Sequence, residues 1–173
     1  MRNYLLIYVN GRRHQISGER CFQSLSDFLR HDLGLVGTKV VCAEGDCGAC
    51  SILLSPVNGG KLRPANSCLL KLGQVIGSSV YTVEGLGSKK LPSPIQNSLT
   101  KYGGSQCGFC TPGFVIAITS LLNHKEKPTE IDIHDALAGN LCRCTGYRPV
   151  SYTHLRAHET GRNLVCRRRR EKK

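Results

Sequence analysis

With 173 residues, the chain has room for one ordinary domain or two small ones. Ten cysteines, no tryptophan and only 6 % aromatic residues indicate small cores that need further stabilisation, for which metal sites are the expected means. The formal net charge is +12, but residues 151–173 hold eight Lys and Arg against two Glu, so half of the excess lies in one short segment, which argues against a nucleic-acid partner for the body of the chain.

No apolar stretch approaches the length of a membrane span, and the first apolar run, residues 4–9, is too short for the core of a signal peptide. We therefore predict a soluble, cytoplasmic protein with no membrane partner. In a reducing compartment, a cysteine-rich chain binds metal more often than it forms disulfides.

The first eighty residues predict a compact α+β sheet crossed by one helix. Asn10-Gly11 separates two apolar runs and indicates a β-hairpin. A short helix is predicted over residues 24–33, with Ser24 as its N-cap and Gly34 just past its end. The predicted strands are residues 4–9, 12–16, 51–54, 68–70 and 80–83.

The second half of the chain has helical periodicity. We predict helices over residues 95–102 and 114–122, the second apolar nearly all round and therefore buried. Thr111 is expected to be the N-cap of that buried helix. A third helix begins at Thr129, with Asp132 as its capping-box partner. The predicted organisation is a first domain over residues 1–84, a linker over 85–91, a helical domain over 92–150, and a basic tail over 151–173 that is non-native and disordered.

One group of cysteines has a spacing that indicates iron. Residues 41–50 read VCAEGDCGAC, a C-x4-C-x2-C pattern that is typical of plant-type [2Fe-2S] ferredoxins. Gly45 and Gly48 would let the backbone adopt positive φ and direct N–H groups at an anionic cluster. Structural zinc is the main alternative, although zinc sites usually present paired C-x2-C knuckles. The metal ligands predicted for this group are Cys42, Cys47, Cys50 and Cys68.

A second group reads QCGFCTPG over residues 106–113 and NLCRCTGYRP over residues 140–149. Its C-x2-C and C-x-C pairs are separated by 31 residues, and the C-x-C pair requires a turn because a regular helix would point the two thiols apart. Spacing alone fits zinc and iron equally, and the iron-type group in the same chain favours iron. The metal ligands predicted here are Cys107, Cys110, Cys142 and Cys144.

Together these motifs resemble the two [2Fe-2S] domains of the molybdenum hydroxylases, and TVEGLG and DALAGNLCRCTGYRPV bring the likeness nearest to the iron–sulfur part of bacterial xanthine dehydrogenase small subunits. The resemblance covers about residues 3–150. It implies an N-terminal β-grasp ferredoxin-like domain followed by an all-α, four-helix-bundle type domain. The second domain would be incomplete here, because the non-native tail over residues 151–173 replaces the family's next helix. The flavin-binding domain that often follows in this family is replaced as well.

The resemblance also implies cofactors and partners. The first cysteine group would hold the outer [2Fe-2S] cluster and the second group the cluster nearer molybdenum. Gln106 and Cys144 would lie close to the molybdopterin of a large partner subunit, and FAD would be bound by another subunit or domain. Likeness alone favours xanthine or hypoxanthine as the substrate of the whole enzyme.

A cluster held by four thiolates has no open coordination position, so the role that remains to it is one-electron transfer. We therefore assign no catalytic residue to this chain. We therefore predict an oxidoreductase component that passes electrons from molybdopterin through two clusters towards FAD. The alternatives are a binding module in which four cysteines hold a stabilising zinc ion, and a stand-alone ferredoxin-like carrier.

Overall fold

The computed structural model describes residues 3–56, 60–88 and 90–151. Their N-terminal part forms a mixed sheet of five strands in the order β2-β1-β5-β3-β4. Only the pairing of β1 with β5 is parallel, and the other neighbours are antiparallel. The strands are β1 (Leu5–Val9), β2 (Arg12–Ile16), β3 (Ser51–Ser55), β4 (Arg63–Asn66) and β5 (Ser79–Tyr81).

The first two strands form the hairpin that the sequence predicts. Asn10 and Gly11 have φ values of 49° and 80°, the left-handed conformation that a type I′ turn requires. The Asn10 side chain accepts a hydrogen bond from the Thr82 backbone N–H at 2.9 Å and donates one to Thr82 Oγ1 at 3.0 Å. The hairpin turn is therefore tied to the residue that follows β5.

The edge strand β4 differs from the prediction, which placed a strand at residues 68–70. A turn covers residues 67–69, and the strand lies at Arg63–Asn66 instead. Pro64 makes this segment look unlike a strand, because proline cannot donate to a ladder. An edge strand tolerates that loss, since only one of its sides is paired. Cys68 consequently lies in the turn after β4.

Helix α1 (Leu25–Asp27) continues into one wide π-helical turn, Phe28–Asp32. As predicted, the Ser24 hydroxyl caps its N-terminus, accepting a hydrogen bond from Asp27 N at 3.1 Å. The helix lies across the sheet, and its apolar side chains complete the first core. The fully or almost fully buried residues of that core are Ile7, Val9, Ile16, Leu25, Phe28, Leu29, Ile52, Leu72, Val75 and Val80.

Three helices follow: α2 (Pro94–Lys101), α3 (Thr111–His124) and α4 (Glu130–Leu137). The predicted capping box at the start of α4 is confirmed, because Thr129 Oγ1 accepts from Asp132 N at 3.3 Å and Thr129 N donates to the Asp132 carboxylate at 2.9 Å. Helix α3 is buried along most of its length and anchors a second core. That core contains Ile95, Leu99, Phe114, Val115, Ala117, Ile118, Ile133, Leu137 and Val150.

Residues 148–151 form one further helical turn, in which Val150 is completely buried. The rest of the predicted tail lies outside the described residues. Helix α3 also packs on the sheet, where Ile116 contacts Leu53 and Leu62 in a small third core. No helix in the described part of the chain is long and apolar enough to cross a membrane.

Candidate metal centres

The loop before β3 carries three of the four cysteines of the first group. Ala43, Gly45 and Gly48 have φ values of 58°, 83° and 68°, so the backbone turns repeatedly within a few residues. This folding brings backbone N–H groups to the Cys42 thiol, with Cys47 N at 3.5 Å from its sulfur. Hydrogen bonds from the backbone of Cys47, and then of Glu44, lower the pKa of Cys42 to about 6.

Side-chain donors hold the carbonyl oxygens of the same loop. Asn66 Nδ2 donates to Gly45 O at 2.5 Å, and Ser51 Oγ donates to Gly48 O at 2.7 Å. Asn66 is the last residue of β4 and Ser51 the first of β3, so the sheet itself fixes the loop conformation. Gly45 also lies under Leu69, where a Cβ atom would come within 2.3 Å of Leu69 Cδ1. A side chain at this position would therefore collide with its neighbour.

The sulfur atoms of the first group meet in pairs. Cys50 Sγ and Cys68 Sγ are 3.3 Å apart, and the Cys42 thiol is hydrogen bonded to the Cys47 thiol. Cys50 is only 2 % exposed, and burial raises its pKa to about 12. A metal bound here would displace the proton from Cys50, because metal coordinates the thiolate and not the thiol.

The second group shows the same pairwise arrangement across its two loops. Cys107 Sγ and Cys144 Sγ are 3.6 Å apart, and both residues are exposed. Cys110 and Cys142 form the other pair through a side-chain hydrogen bond. Burial raises the pKa of Cys110 to about 12.

Thr145 forms the bend behind Cys142. Burial alone would raise the pKa of Cys142, but hydrogen bonds with Thr145 Oγ1 at 3.2 Å and from Thr145 N at 3.5 Å outweigh burial and lower it. Tyr147 stabilises the same turn, because its hydroxyl accepts from Cys142 N at 2.9 Å and its ring packs edge-on against Phe114.

The prediction of Thr111 as the N-cap of the buried helix was wrong by one residue. Helix α3 begins at Thr111, so Cys110 occupies the N-cap position. The Thr111 hydroxyl is hydrogen bonded to Ser105 Oγ at 2.8 Å and does not cap the helix. Cys110 thus stands directly at the positive end of the helix dipole, which favours a thiolate but is outweighed by the burial that raises the pKa of Cys110.

The sulfur distances fit shared metal ions. Two thiolates on one tetrahedral ion, each about 2.3 Å from the metal, lie about 3.7 Å apart, whereas a disulfide is about 2.0 Å long. The observed separations of 3.3 and 3.6 Å are near the first value. In the described part of the chain, no three His, Cys, Asp or Glu side chains converge as they would around a single ion. Two pairs per group match a dinuclear centre, in which each metal takes two thiolates.

Among the predicted site residues, Gln106 is exposed next to Cys107. The sequence reasoning missed three residues that shape the first loop, namely Ser51, Asn66 and Asn140. Asn140 lies in the motif quoted for the second group, yet its Nδ2 donates to Gly48 O of the first group at 3.0 Å, across 92 residues. No local pattern signals a contact over that separation.

Comparison with known families agrees with this geometry. A 2Fe-2S iron-sulfur cluster binding domain matches residues 7–72, and a [2Fe-2S] binding domain matches residues 82–153. These matches favour iron over zinc for both groups. They define the class of the protein as an iron–sulfur electron-transfer protein with two [2Fe-2S] domains.

Individual relatives narrow the class. The chain is 48 % identical to xanthine dehydrogenase 1 of Arabidopsis thaliana and 46 % identical to human aldehyde oxidase, each over 151 residues. These matches cover 84 % of the chain but only 11 % of either relative, so the chain spans about a tenth of their length.

Solved structures show the same similarity. The aldehyde oxidoreductase of Desulfovibrio desulfuricans ATCC 27774 has a TM-score of 0.82 and 34 % identity over 92 % of this chain and 17 % of its own. Quinoline 2-oxidoreductase of Pseudomonas putida 86 has a TM-score of 0.78 and 33 % identity over 91 % of this chain and 94 % of its own. The chain belongs to the iron–sulfur part of the molybdenum hydroxylase family, which includes xanthine dehydrogenase and aldehyde oxidase.

Proposed function

We propose that this chain is the electron-transfer component of a cytoplasmic molybdenum hydroxylase and that the two cysteine groups are its cluster ligands. Cys42, Cys47, Cys50 and Cys68 would hold one [2Fe-2S] cluster, and Cys107, Cys110, Cys142 and Cys144 the other. The observation that carries this proposal is the pairing of sulfurs within each group, at 3.3 Å for Cys50–Cys68 and 3.6 Å for Cys107–Cys144.

The proposed domain organisation follows the two cores. Residues 1–84 form a β-grasp ferredoxin-like domain, residues 85–91 a linker, and residues 92–150 a helical domain. The buried Val150, in the helical turn at residues 148–151, supports a four-helix-bundle type of domain whose fourth helix is incomplete. Residues 151–173 would be a non-native tail.

When bound, the clusters would supply one-electron transfer between a molybdopterin centre and FAD, both held by partner subunits or domains. The chain's own residues hold and shield them. Each group offers four thiols and so leaves no ligand position for substrate, which is why no catalytic residue is assigned here. The N–H groups around Cys42, and the helix end at Cys110, stabilise the negative charge of the thiolates.

Exposed apolar residues beside the ligands support two docking faces. Phe109 and Leu141, 47 % and 52 % exposed, flank the second group, where Cys107 and Cys144 are exposed as well. We assign this face, with Gln106, to the molybdopterin-binding subunit.

Val41 and Leu69 flank the first group and are 60 % and 55 % exposed, which suits the FAD-binding partner.

The relatives leave the substrate open between two classes, because identity is 48 % to a xanthine dehydrogenase and 46 % to an aldehyde oxidase. We propose xanthine or hypoxanthine on the likeness of the motifs to bacterial small subunits. The partner subunit, which would bind the substrate, decides this point, and the rates of the assembled enzyme with xanthine and with an aldehyde would distinguish the two.

The test is metal analysis of protein purified without oxygen. The wild-type chain should contain about four irons and four sulfides and show two reducible signals by electron paramagnetic resonance (EPR). Cys68→Ser and Cys110→Ser should each lose one signal, whereas Cys21→Ser, at a half-buried cysteine outside both groups, should keep both. Colourless protein with zinc, or Cys21→Ser losing a signal, would contradict the assignment.

A second test separates an enzyme component from a free carrier. Tagged, cluster-loaded protein should retain a large molybdopterin-binding subunit in a pull-down from cells that produce both. Phe109→Asp should weaken this retention while both EPR signals persist. Retention of no such subunit by the wild-type chain would favour the stand-alone carrier.

A further inference from the structure

The two metal groups meet at one small junction, formed by Gly48, Gly113 and Asn140. Gly48 belongs to the loop of the first group, and Gly113 lies in the first turn of α3, just after Cys110. Asn140 follows α4 and precedes Cys142 by two residues. The junction therefore joins the ligand loops of both groups directly.

Two hydrogen bonds cross the junction. Leu141 N donates to Cys47 O at 3.0 Å, so a ligand residue of the first group is bonded to the residue before Cys142. Asn140 Nδ2 donates to Gly48 O at 3.0 Å, in a contact that is fully buried. The Asn140 side chain is well placed to do this, because the residue is 4 % exposed and its backbone N–H is held by Leu137 O.

The glycines permit this close approach. A Cβ atom on Gly113 would lie 2.4 Å from Gly48 O and 2.7 Å from Asn140 Nδ2. A Cβ atom on Gly48 would lie 2.2 Å from Gly139 O, and its φ of +68° disfavours a side chain in any case. The backbone segments around Gly48, Gly113 and Asn140 therefore come into contact, because neither glycine places a side chain between them.

We propose that this junction is a positioning site that sets the distance and the electronic coupling between the two clusters, with Asn140 as its positioning residue. The inference rests on the proposed function and adds residues that are not themselves ligands of either group. Asn140 acts from the helical domain on the loop of the other domain. The Asn140 amide is a second donor to Gly48 O, which already accepts a hydrogen bond at 2.7 Å from Ser51 Oγ of the first domain.

The decisive comparison is between two glycine substitutions, neither at a position of positive φ. Gly113→Ala must move α3 away from Gly48 by about 1 Å to restore an ordinary contact, because an added Cβ starts at 2.4 Å. Gly139→Ala is the matched control, since an added Cβ there meets nothing within 4 Å. The readout is the magnetic interaction between the two clusters in the fully reduced, cluster-loaded protein, which falls steeply with their separation.

We expect Gly113→Ala to weaken the splitting of the EPR lines and to slow electron exchange between the clusters several-fold, while Gly139→Ala leaves both unchanged. Asn140→Ala should weaken the splitting too. Because this substitution removes atoms and creates no clash, it tests the proposal if Gly113→Ala does not fold. Ser51→Ala removes a donor from the same oxygen within one domain, and should shift the first cluster's midpoint potential without changing the splitting.

Iron content separates the possible failures. If the wild-type chain binds fewer than two clusters, the proposed function is wrong. If Asn140→Ala and every folded Gly113→Ala sample hold both clusters with the wild-type splitting, the positioning role is overturned while the proposed function stands. An equal loss of splitting in Gly139→Ala would also overturn it, because that substitution creates no contact.

Discussion

The unequal ionisation of two cysteines in the first group leads to a sharp prediction for the metal-free protein. Backbone hydrogen bonds from Cys47 and Glu44 lower the pKa of Cys42 to about 6, whereas burial raises that of Cys50 to about 12. At pH 7.5, Cys42 would be about 97 % thiolate, and Cys50 would be ionised in about one molecule in 30,000. Only the thiolate attacks an alkylating reagent, so the two residues should react at very different rates.

The expected ratio is smaller than the ratio of ionised fractions. A more acidic thiolate is a weaker nucleophile, and with a Brønsted coefficient of about 0.45 this offsets about 500-fold of the difference. Cys42 should therefore be alkylated about 60 times faster than Cys50 at pH 7.5 from ionisation alone. The near-complete burial of Cys50 can only increase that ratio.

The assay is timed labelling with iodoacetamide, followed by mass spectrometry of the cysteine-containing peptides. Circular dichroism should first show that the metal-free protein keeps its secondary structure. From pH 7.5 to 8.5, labelling of Cys42 should stay constant, because this thiol is already ionised above its lowered pKa, while labelling of Cys50 should rise about tenfold. Equal rates for the two residues, or a tenfold rise at Cys42, would show that the two thiols do not differ in ionisation.

Three further substitutions test the fold around the sites. Ile116→Ala should lower the free energy of unfolding by about 2–5 kcal/mol in denaturant titrations, because Ile116 is fully buried between α3 and the sheet. Ile131→Ala, at a residue 72 % exposed, should change the free energy of unfolding by less than about 0.5 kcal/mol. Thr129→Ala should cost about 1 kcal/mol through loss of the α4 cap, and Thr129→Ser should restore most of it; equal stability of the two variants would show that the hydroxyl does not act as a cap. Gly45→Ala should lower the iron content, because its Cβ would meet Leu69, but Gly103→Ala, at a similar positive φ with open space, should not; equal iron loss in both would attribute the effect to backbone strain alone.

Features set by neighbouring residues could be predicted from the sequence. Asn10-Gly11 specifies its turn because both residues tolerate positive φ, and Thr129 with Asp132 specifies the start of α4 through hydrogen bonds within one turn. The C-x4-C-x2-C spacing likewise indicated the chemistry of the first group. The strand at Arg63–Asn66 was missed because its place at the sheet edge, which is what makes Pro64 acceptable, is a property of the assembled sheet.

The sequence alone was enough to predict two groups of four cysteine ligands, because thiol chemistry and loop turns depend on residue type and short spacing. It did not determine which sulfurs would be partners: Cys107 and Cys110 are neighbours in the chain, yet Cys107 pairs with Cys144 at 3.6 Å. Nor did it show that Asn140 holds Gly48, 92 residues away. Only the packing of α3 on the sheet brings those segments together, since contacts between distant residues depend on how both cores assemble and not on any local preference.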